Sequence, residues 1–161
     1  MTQEEKDLIF KDLCGRLSYG VKLRNIRMTD PTDIGSIVRL YSIDLDEYYC
    51  KIKFYTYEGK SLCVSNEDRL FKAGNRDVDF LRYKPYLFPL SSMTDKQKEE
   101  FRNKFDINID ISKIFDGIDF CGSISFRTIS EIIDWLNKNH FDYRGLIERG
   151  LAIDCTNLNI Y

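Results

Sequence analysis

The order of the helical and strand patterns is the feature that most constrains the fold of this chain. Thr2 and Glu5 form a capping box that opens a helix, expected from about Gln3 to Leu17. Segments rich in Ile, Val, Tyr and Phe then follow one another at 36–44 and 48–57 with no helix between them. Because a parallel sheet needs strands and helices in alternation, the order predicts an α+β fold with an antiparallel sheet of about four to six strands.

Two further helical regions are predicted from caps and apolar spacing. Thr94 and Gln97 open a middle helix with a narrow apolar stripe. Thr128 and Glu131 open another helix that ends near Asn139. Asp142 is placed to cap a short helix at its carboxyl side, expected over Tyr143 to Arg149 and stopped by Gly150. The sequence therefore predicts a C-terminal helical pair.

Other segments predict extended structure. Apolar and polar residues alternate at 107–111 and at 123–127, which is typical of half-buried strands. We interpret 106–127 as an inserted hairpin or loop. Pro85 and Pro89 force an extended path over 84–90, expected to lie along the surface of the core.

Composition limits the class of protein. The 161 residues fit one α+β domain, 1–161, and a hydrophobic content of 43% excludes intrinsic disorder. The charged amino terminus and the lack of any uncharged apolar run of about 18 residues predict a cytoplasmic protein without a membrane partner. Five widely spaced cysteines and one histidine predict reduced thiols, with no metal site and no cofactor.

Charge argues against a strong overall attraction to polyanions. The chain has 24 basic and 26 acidic residues, and residues 1–90 contain 15 and 14 of them, leaving 9 and 12 in residues 91–161. Nucleic acid is therefore not the favoured partner. It stays an alternative because basic residues interleave with aromatic ones. The contacts in that alternative would be Arg24, Arg27, Lys51, Lys53 and Tyr55.

An enzymatic reading would depend on His140. Its usual pKa is close to neutrality, and Asp142 or Glu148 could orient it as a general base. A histidine just past a helix end also commonly interacts with the terminal carbonyl groups. The sequence has no nucleophile elbow, P-loop or dinucleotide fingerprint, so no catalytic residue is predicted.

Two segments carry a family resemblance, the KPYLFPLSSMT motif at 84–94 and the DWLNKNHFDYRGLIERGLAI motif at 134–153. They resemble a family of short proteins from gut anaerobic bacteria, their phages and mobile elements. No reaction is assigned to that family. The resemblance implies a small accessory protein that acts by binding.

The leading hypothesis from the sequence is a non-enzymatic protein-interaction module whose partner is another protein. Tyrosine and arginine provide large contact areas with polar tips; both recognisable segments contain tyrosine, and the second also contains arginine. The oligomeric state, and whether 84–94 and 134–153 form one surface, are left open. The predicted contacts are Tyr83, Lys84, Tyr86, His140, Tyr143 and Arg144.

Overall fold

The computed structural model describes residues 2–25, 37–45, 50–56, 68–69, 83–106 and 125–161. The helices are α1 (Gln3–Arg16), α2 (Asp95–Phe105) and α3 (Phe126–Lys138), with single 3-10 turns at Leu17–Tyr19 and Leu90–Ser92. The strands are β1 (Lys22–Asn25), β2 (Ile37–Leu45), β3 (Cys50–Thr56), β4 (Asp68–Arg69), β5 (Tyr83–Pro89), β6 (Phe141–Asp142) and β7 (Ile153–Asp154). The strand predicted at 107–111 lies outside the described residues. The same holds for the hairpin or loop predicted at 106–127, apart from Asp106 and residues 125–127.

The strands form one sheet in the order β4-β3-β2-β1-β5-β6, with β7 also paired to β5. Strands β1 to β5 pair antiparallel, which confirms the predicted α+β class. The short strands β6 and β7 pair with β5 in parallel, so the sheet is mixed and not purely antiparallel as expected. Both lie after α3, which carries the chain back before it runs alongside β5.

Helix α1 confirms the first prediction from the sequence. Thr2 accepts a hydrogen bond from the backbone of Glu5, and Glu5 accepts one from the backbone of Thr2 at 2.7 Å, which completes the capping box. The helix ends in a 3-10 turn closed by Gly20, whose φ is 64°. Glycine adopts this left-handed conformation without the steric cost that a Cβ would impose.

The first core lies between α1 and one face of the sheet. Ile9 and Leu13 of α1 pack with Leu23, Leu40 and Leu87 from three different strands, and each is at most 2% exposed. Burying one leucine side chain contributes about 1.5–3 kcal/mol, so this contact fixes α1 on the sheet.

The second core is aromatic and lies between α2, α3 and the end of β5. The Phe101 ring packs edge-on against Trp135 at 5.3 Å between centroids, and Trp135 stacks on Phe141 at 5.8 Å. The Trp135 indole donates to Glu100 at 3.2 Å, which satisfies its single donor at the edge of the cluster. The buried positions of Phe101 and Phe105 confirm the apolar stripe predicted for the middle helix.

The start of α3 differs from the prediction. Ser125 is the N-cap and accepts from the backbone of Thr128 at 3.1 Å, so the capping residue is not Thr128. The predicted strand at 123–127 is therefore wrong for residues 125–127, where α3 begins. The alternation was only five residues long, whereas a cap with the apolar period behind it specifies a helix of about four turns.

The predicted second helix of the C-terminal pair is replaced by successive turns over 143–150. The Asp142 carboxylate accepts from the backbone of Arg144, Leu146 and Ile147 at 2.7–3.2 Å. Gly145 has φ 69°, which interrupts helical geometry one turn after the cap. The cap was correctly located, but it supports a turn and not a helix.

The proline-containing segment is inside the sheet and not on its surface. Pro85, Tyr86 and Leu87 are buried, and β5 pairs with β1, β6 and β7. Proline lacks a donor, yet β5 continues because neighbouring residues form the bonds, as when Phe88 donates to the His140 carbonyl at 2.9 Å. The two segments that carry the family resemblance therefore meet along β5.

Candidate functional site

The six residues predicted to form a binding surface divide into two groups. Tyr86, His140 and Tyr143 are buried, at 4%, 9% and 9% exposure. Tyr83, Lys84 and Arg144 are partly exposed. Side chains in the first group contribute packing, so the described geometry leaves only the second group accessible to a partner. The binding role of the set stays a prediction.

A buried charge cluster holds the C-terminal turns against α1. Asp12 and Arg16 are 0% exposed, and Arg16 Nε donates to Asp12 Oδ2 at 2.7 Å. Arg16 Nη2 donates to the Phe141 carbonyl at 2.7 Å, and Arg144 Nε lies 3.4 Å from Asp12 Oδ1. The Tyr143 ring lies near both guanidinium groups, 5.6 Å from that of Arg16 and 4.8 Å from that of Arg144. Opposite charges are in contact in this corner, so these side chains hold the C-terminal turns against α1.

His140 lies at the end of the same corner in a left-handed conformation, with φ 58°. Its ring stacks on Tyr161 at 3.8 Å between centroids. Burial, together with the positive charges of Arg16 and Lys22, lowers the pKa of His140 to about 4. The imidazole is therefore neutral at pH 7.

The carboxylates expected to orient His140 are used elsewhere. Asp142 accepts three backbone N–H groups of the following turns, and Glu148 is exposed to solvent. Across the described ranges, no three His, Cys, Asp or Glu side chains converge on a position that could hold a metal ion. The arrangement around His140 gives no support to a general base.

The face of the sheet opposite α1 is basic. Residues directly opposite across antiparallel strands share a face, and residues two apart along a strand do so as well. The register therefore places seven basic positions together, and we call them the basic face. These are Lys22, Arg24, Arg39, Lys51, Lys53, Arg69 and Lys84. Among the described positions of this face, Asp44 is the only acidic one.

Three register pairs on the basic face bring one cation opposite another. Lys22 pairs with Arg39 across β1 and β2, Arg24 with Lys84 across β1 and β5, and Lys51 with Arg69 across β3 and β4. Like charges directly opposite destabilise a sheet, by about 0.2–1 kcal/mol for each pair. Among the register partners of these six positions, the acidic one is Asp44, opposite Lys51. The register thus concentrates positive charge on the basic face.

The side chains described on this face are partly or fully accessible. Arg39 is exposed, while Arg24 and Lys84 are partly exposed. The Arg39 guanidinium rests on the backbone of Gly20, since a Cβ added there would lie 2.5 Å from Arg39 Nε. The Arg24 Nε atom is buried and has no hydrogen-bond partner within the described structure. Arg39 is therefore the described side chain of this face that is most open to an anion.

The sequence identified part of this face. Arg24, Lys51, Lys53 and Tyr55 of the nucleic-acid alternative lie at positions of one face, with Tyr55 opposite Arg39. Arg27 lies outside the described residues. Arg39 and Arg69 were missed, because only the strand pairing brings them to this face. Lys84 was expected as a contact for a protein partner instead.

Comparisons with protein-family models, with curated proteins and with solved structures find no match for the chain. Within the described residues, no helix has the length and apolar character needed to cross a membrane. The functional argument therefore depends on the geometry of the chain itself.

Proposed function

We propose that this protein is a nucleic-acid-binding accessory protein that uses the basic face. The observation that carries the proposal is the set of three like-charge register pairs, Lys22 with Arg39, Arg24 with Lys84 and Lys51 with Arg69. The register places six cations opposite one another, two by two, on one face of the sheet. A ligand with regularly spaced negative charges is attracted to such a face.

The phosphate backbone supplies such charges, and lysine and arginine on a surface are the groups that neutralise it. The net charge of −2 does not oppose the proposal, because attraction at a surface depends on the local arrangement of charge. Tyr55 adds an aromatic residue opposite Arg39 within the same set of positions. Aromatic residues among cations favour a nucleic acid over a simple anionic surface.

The proposal is tested by fluorescence anisotropy with labelled oligonucleotides at several salt concentrations. We expect affinity to fall steeply with salt, with a slope of about −0.7 for each phosphate contacted on a single strand. Replacing Lys51 and Lys53 by glutamate should weaken binding at least about tenfold and make the salt slope shallower.

A control is Arg127→Glu on α3, which makes the same change of charge per residue, once instead of twice, off the basic face. Its side chain is 88% exposed and pairs with Glu131 at 3.0 Å. This variant should bind like the wild type. Absence of binding to every oligonucleotide, or equal losses in both variants, would contradict the proposal.

A second candidate is the protein-interaction module, favoured by one exposed aromatic side chain. Phe126 opens α3 and is 93% exposed, which is unusual for a large apolar residue. Replacing Phe126 by serine should then abolish capture of a protein partner and leave the unfolding free energy unchanged. Retention of the same partner by the variant would remove this candidate.

A further inference from the structure

The cations of the basic face do not cover it evenly but follow one diagonal. Residues directly opposite one another across the sheet form a row, and successive rows of one face are about 6.8 Å apart along the strands. In the first row the cations are Lys84 on β5 and Arg24 on β1. In the second row they are Lys22 on β1 and Arg39 on β2, one strand farther from β5. The positive charge thus moves across the sheet as it moves along it.

The next two rows continue the same shift toward β4. The pairing of β2 with β3 skips Tyr41, so that Ser42 lies opposite Lys53 in the third row. The fourth row has Lys51 on β3 opposite Arg69 on β4. The other β2 and β3 positions described in these four rows carry no cation, and they are Ile37, Tyr55, Ser42 and Asp44.

Six of these cations form what we call the diagonal stripe. Lys22 lies on the same line but is not counted, because its ammonium donates to the Ile160 carbonyl and lies 5.2 Å from the centroid of the Tyr161 ring. Arg39, in the middle of the line, is exposed. The members of the diagonal stripe are Lys84, Arg24, Arg39, Lys53, Lys51 and Arg69.

The diagonal stripe is long and narrow. It crosses the sheet from β5 to β4 over four strand spacings of about 4.8 Å and three row spacings of about 6.8 Å, so its length is about 28 Å. In each row its cations occupy at most two neighbouring strands. One phosphate backbone has this form, because it is a single line of regularly spaced negative charges. The backbones of a duplex instead turn around its axis once in about 10 base pairs and curve away from a sheet.

We infer that the ligand of the basic face is a single strand of nucleic acid whose backbone runs along the diagonal stripe from β5 to β4. A strand of about five nucleotides spans this length, which is near the lower end of the sizes of single-strand sites on β-structures. This inference rests on the proposed function. It adds the form of the nucleic acid and the path of its backbone.

The first test measures the length of the site. Oligothymidylates of about two to about twelve nucleotides are titrated by fluorescence anisotropy at several salt concentrations. We expect affinity to rise steeply up to about five nucleotides, with the salt slope levelling at about −3.5, or about −0.7 for each phosphate. A duplex of the same length should bind at least about tenfold more weakly. Equal affinity for the duplex, or a salt slope that still grows beyond about ten nucleotides, would overturn the single-strand assignment.

The second test locates the two ends of the bound strand on the wild-type protein. Strands of about five nucleotides carry photoreactive 4-thiothymidine at one end or at the other, and the cross-linked peptides are identified by mass spectrometry. We expect one end to react with β5 and the other end with β4. Reaction of both ends with the same strand of the sheet would contradict the diagonal path.

The third test removes one charge on the stripe and one charge away from it. Arg39→Gln should weaken binding severalfold and make the salt slope shallower by about 0.7. Arg127→Gln on α3 is the matched control, since the Arg127 side chain is 88% exposed and lies off the basic face. It should bind like the wild type. Equal affinities of the two variants would contradict the path through Arg39. Far-UV circular dichroism checks the fold of each variant.

The outcomes separate the path of the strand from the proposed function. If oligonucleotides bind but the duplex binds as tightly as the single strand, the path is wrong and the proposed function stands. If no oligonucleotide of any length binds, the proposed function itself fails. Should Arg39→Gln not fold, the cross-links on the wild-type protein decide, because they need no substitution.

Discussion

The C-terminal corner and the basic face both contain several charged residues, but they arrange them in opposite ways. In the corner, Arg16 and Arg144 both lie near the carboxylate of Asp12, and two of these three residues are fully buried. On the basic face, Arg24 is opposite Lys84 across the sheet, and both are partly exposed. Contacts between opposite charges hold the corner together, whereas cations placed opposite one another concentrate positive charge on the basic face.

Half of the residues expected to bind a partner are buried, and two of these lie in the corner. His140 and Tyr143 pack there against Tyr161 and the guanidinium groups. Polar and aromatic residue types are common to packing corners and to binding surfaces. Burial and contacts between opposite charges distinguish the corner from the basic face here.

The largest expected loss of stability comes from a substitution in the corner. Arg16→Met removes the partner of Asp12 and leaves a carboxylate buried next to the more distant Arg144. We expect the free energy of unfolding to fall by about 3–5 kcal/mol, measured by urea denaturation. Nucleic-acid affinity of the folded protein should not change, because Arg16 is not on the basic face.

The exposed ion pair between α1 and the turns provides the control. Arg149 Nη1 lies 3.8 Å from Glu4 Oε1, and their side chains are 48% and 84% exposed. Arg149→Met should therefore change stability by less than about 0.5 kcal/mol. A loss as large as that of Arg16→Met would show that burial does not distinguish these pairs.

The next effect depends on pH. The pKa of folded His140 is about 4, below its usual value of 6.5, so the unfolded chain takes up a proton first as the pH falls. The stability contribution of neutral His140 is complete above pH 6.5 and is lost as the pH falls toward 4, with a loss of about 2 kcal/mol at pH 5. His140→Asn, which tolerates the left-handed backbone, should remove this part of the dependence in urea denaturation at pH 7 and 5.

The outcome that would contradict this prediction is the same pH dependence in the wild type and in His140→Asn. Such a result would assign the loss of stability between pH 7 and 5 to other groups. It would also mean that the stack of His140 on Tyr161 does not exclude water from the imidazole.

A smaller loss of stability is expected from alanine at two glycines, one beside the basic face and one in the corner. Gly20 and Gly145 have φ 64° and 69°, so alanine should cost about 1 kcal/mol or more at either position, measured by urea denaturation. Only at Gly20 does the added Cβ meet a side chain, that of Arg39, since nothing lies within 4 Å at Gly145. Gly20→Ala should therefore also weaken oligonucleotide binding severalfold, and Gly145→Ala should not.

Local signals in the sequence predicted much of the fold. The capping boxes of Thr2 with Glu5 and Thr94 with Gln97 are complete within four residues, and both helices begin where they predict. The last helix was harder, because Ser125 caps it without an acidic residue at the third position. The turns after Asp142 were misjudged because the same carboxylate can cap a helix or an isolated turn.

The site was less predictable because it depends on register. Net charge counted along the chain concealed the basic face, since acidic residues between the strands balance cations that pairing places together. Lys84 and Arg24 are 60 positions apart, and only the pairing of β1 with β5 makes them neighbours. The burial of Tyr86 likewise follows from the position of β5 within the sheet. The two prolines of this segment had led to the expectation of a surface position.

The central claim is tested most directly by Lys84→Glu, with unfolding free energy and oligonucleotide affinity measured on the same preparation. The substitution converts the like-charge pair with Arg24 into an ion pair, so stability should rise by about 0.5 kcal/mol. The same substitution removes a phosphate contact and adds a negative charge, so affinity should fall about tenfold. A loss of stability together with unchanged affinity would contradict the account.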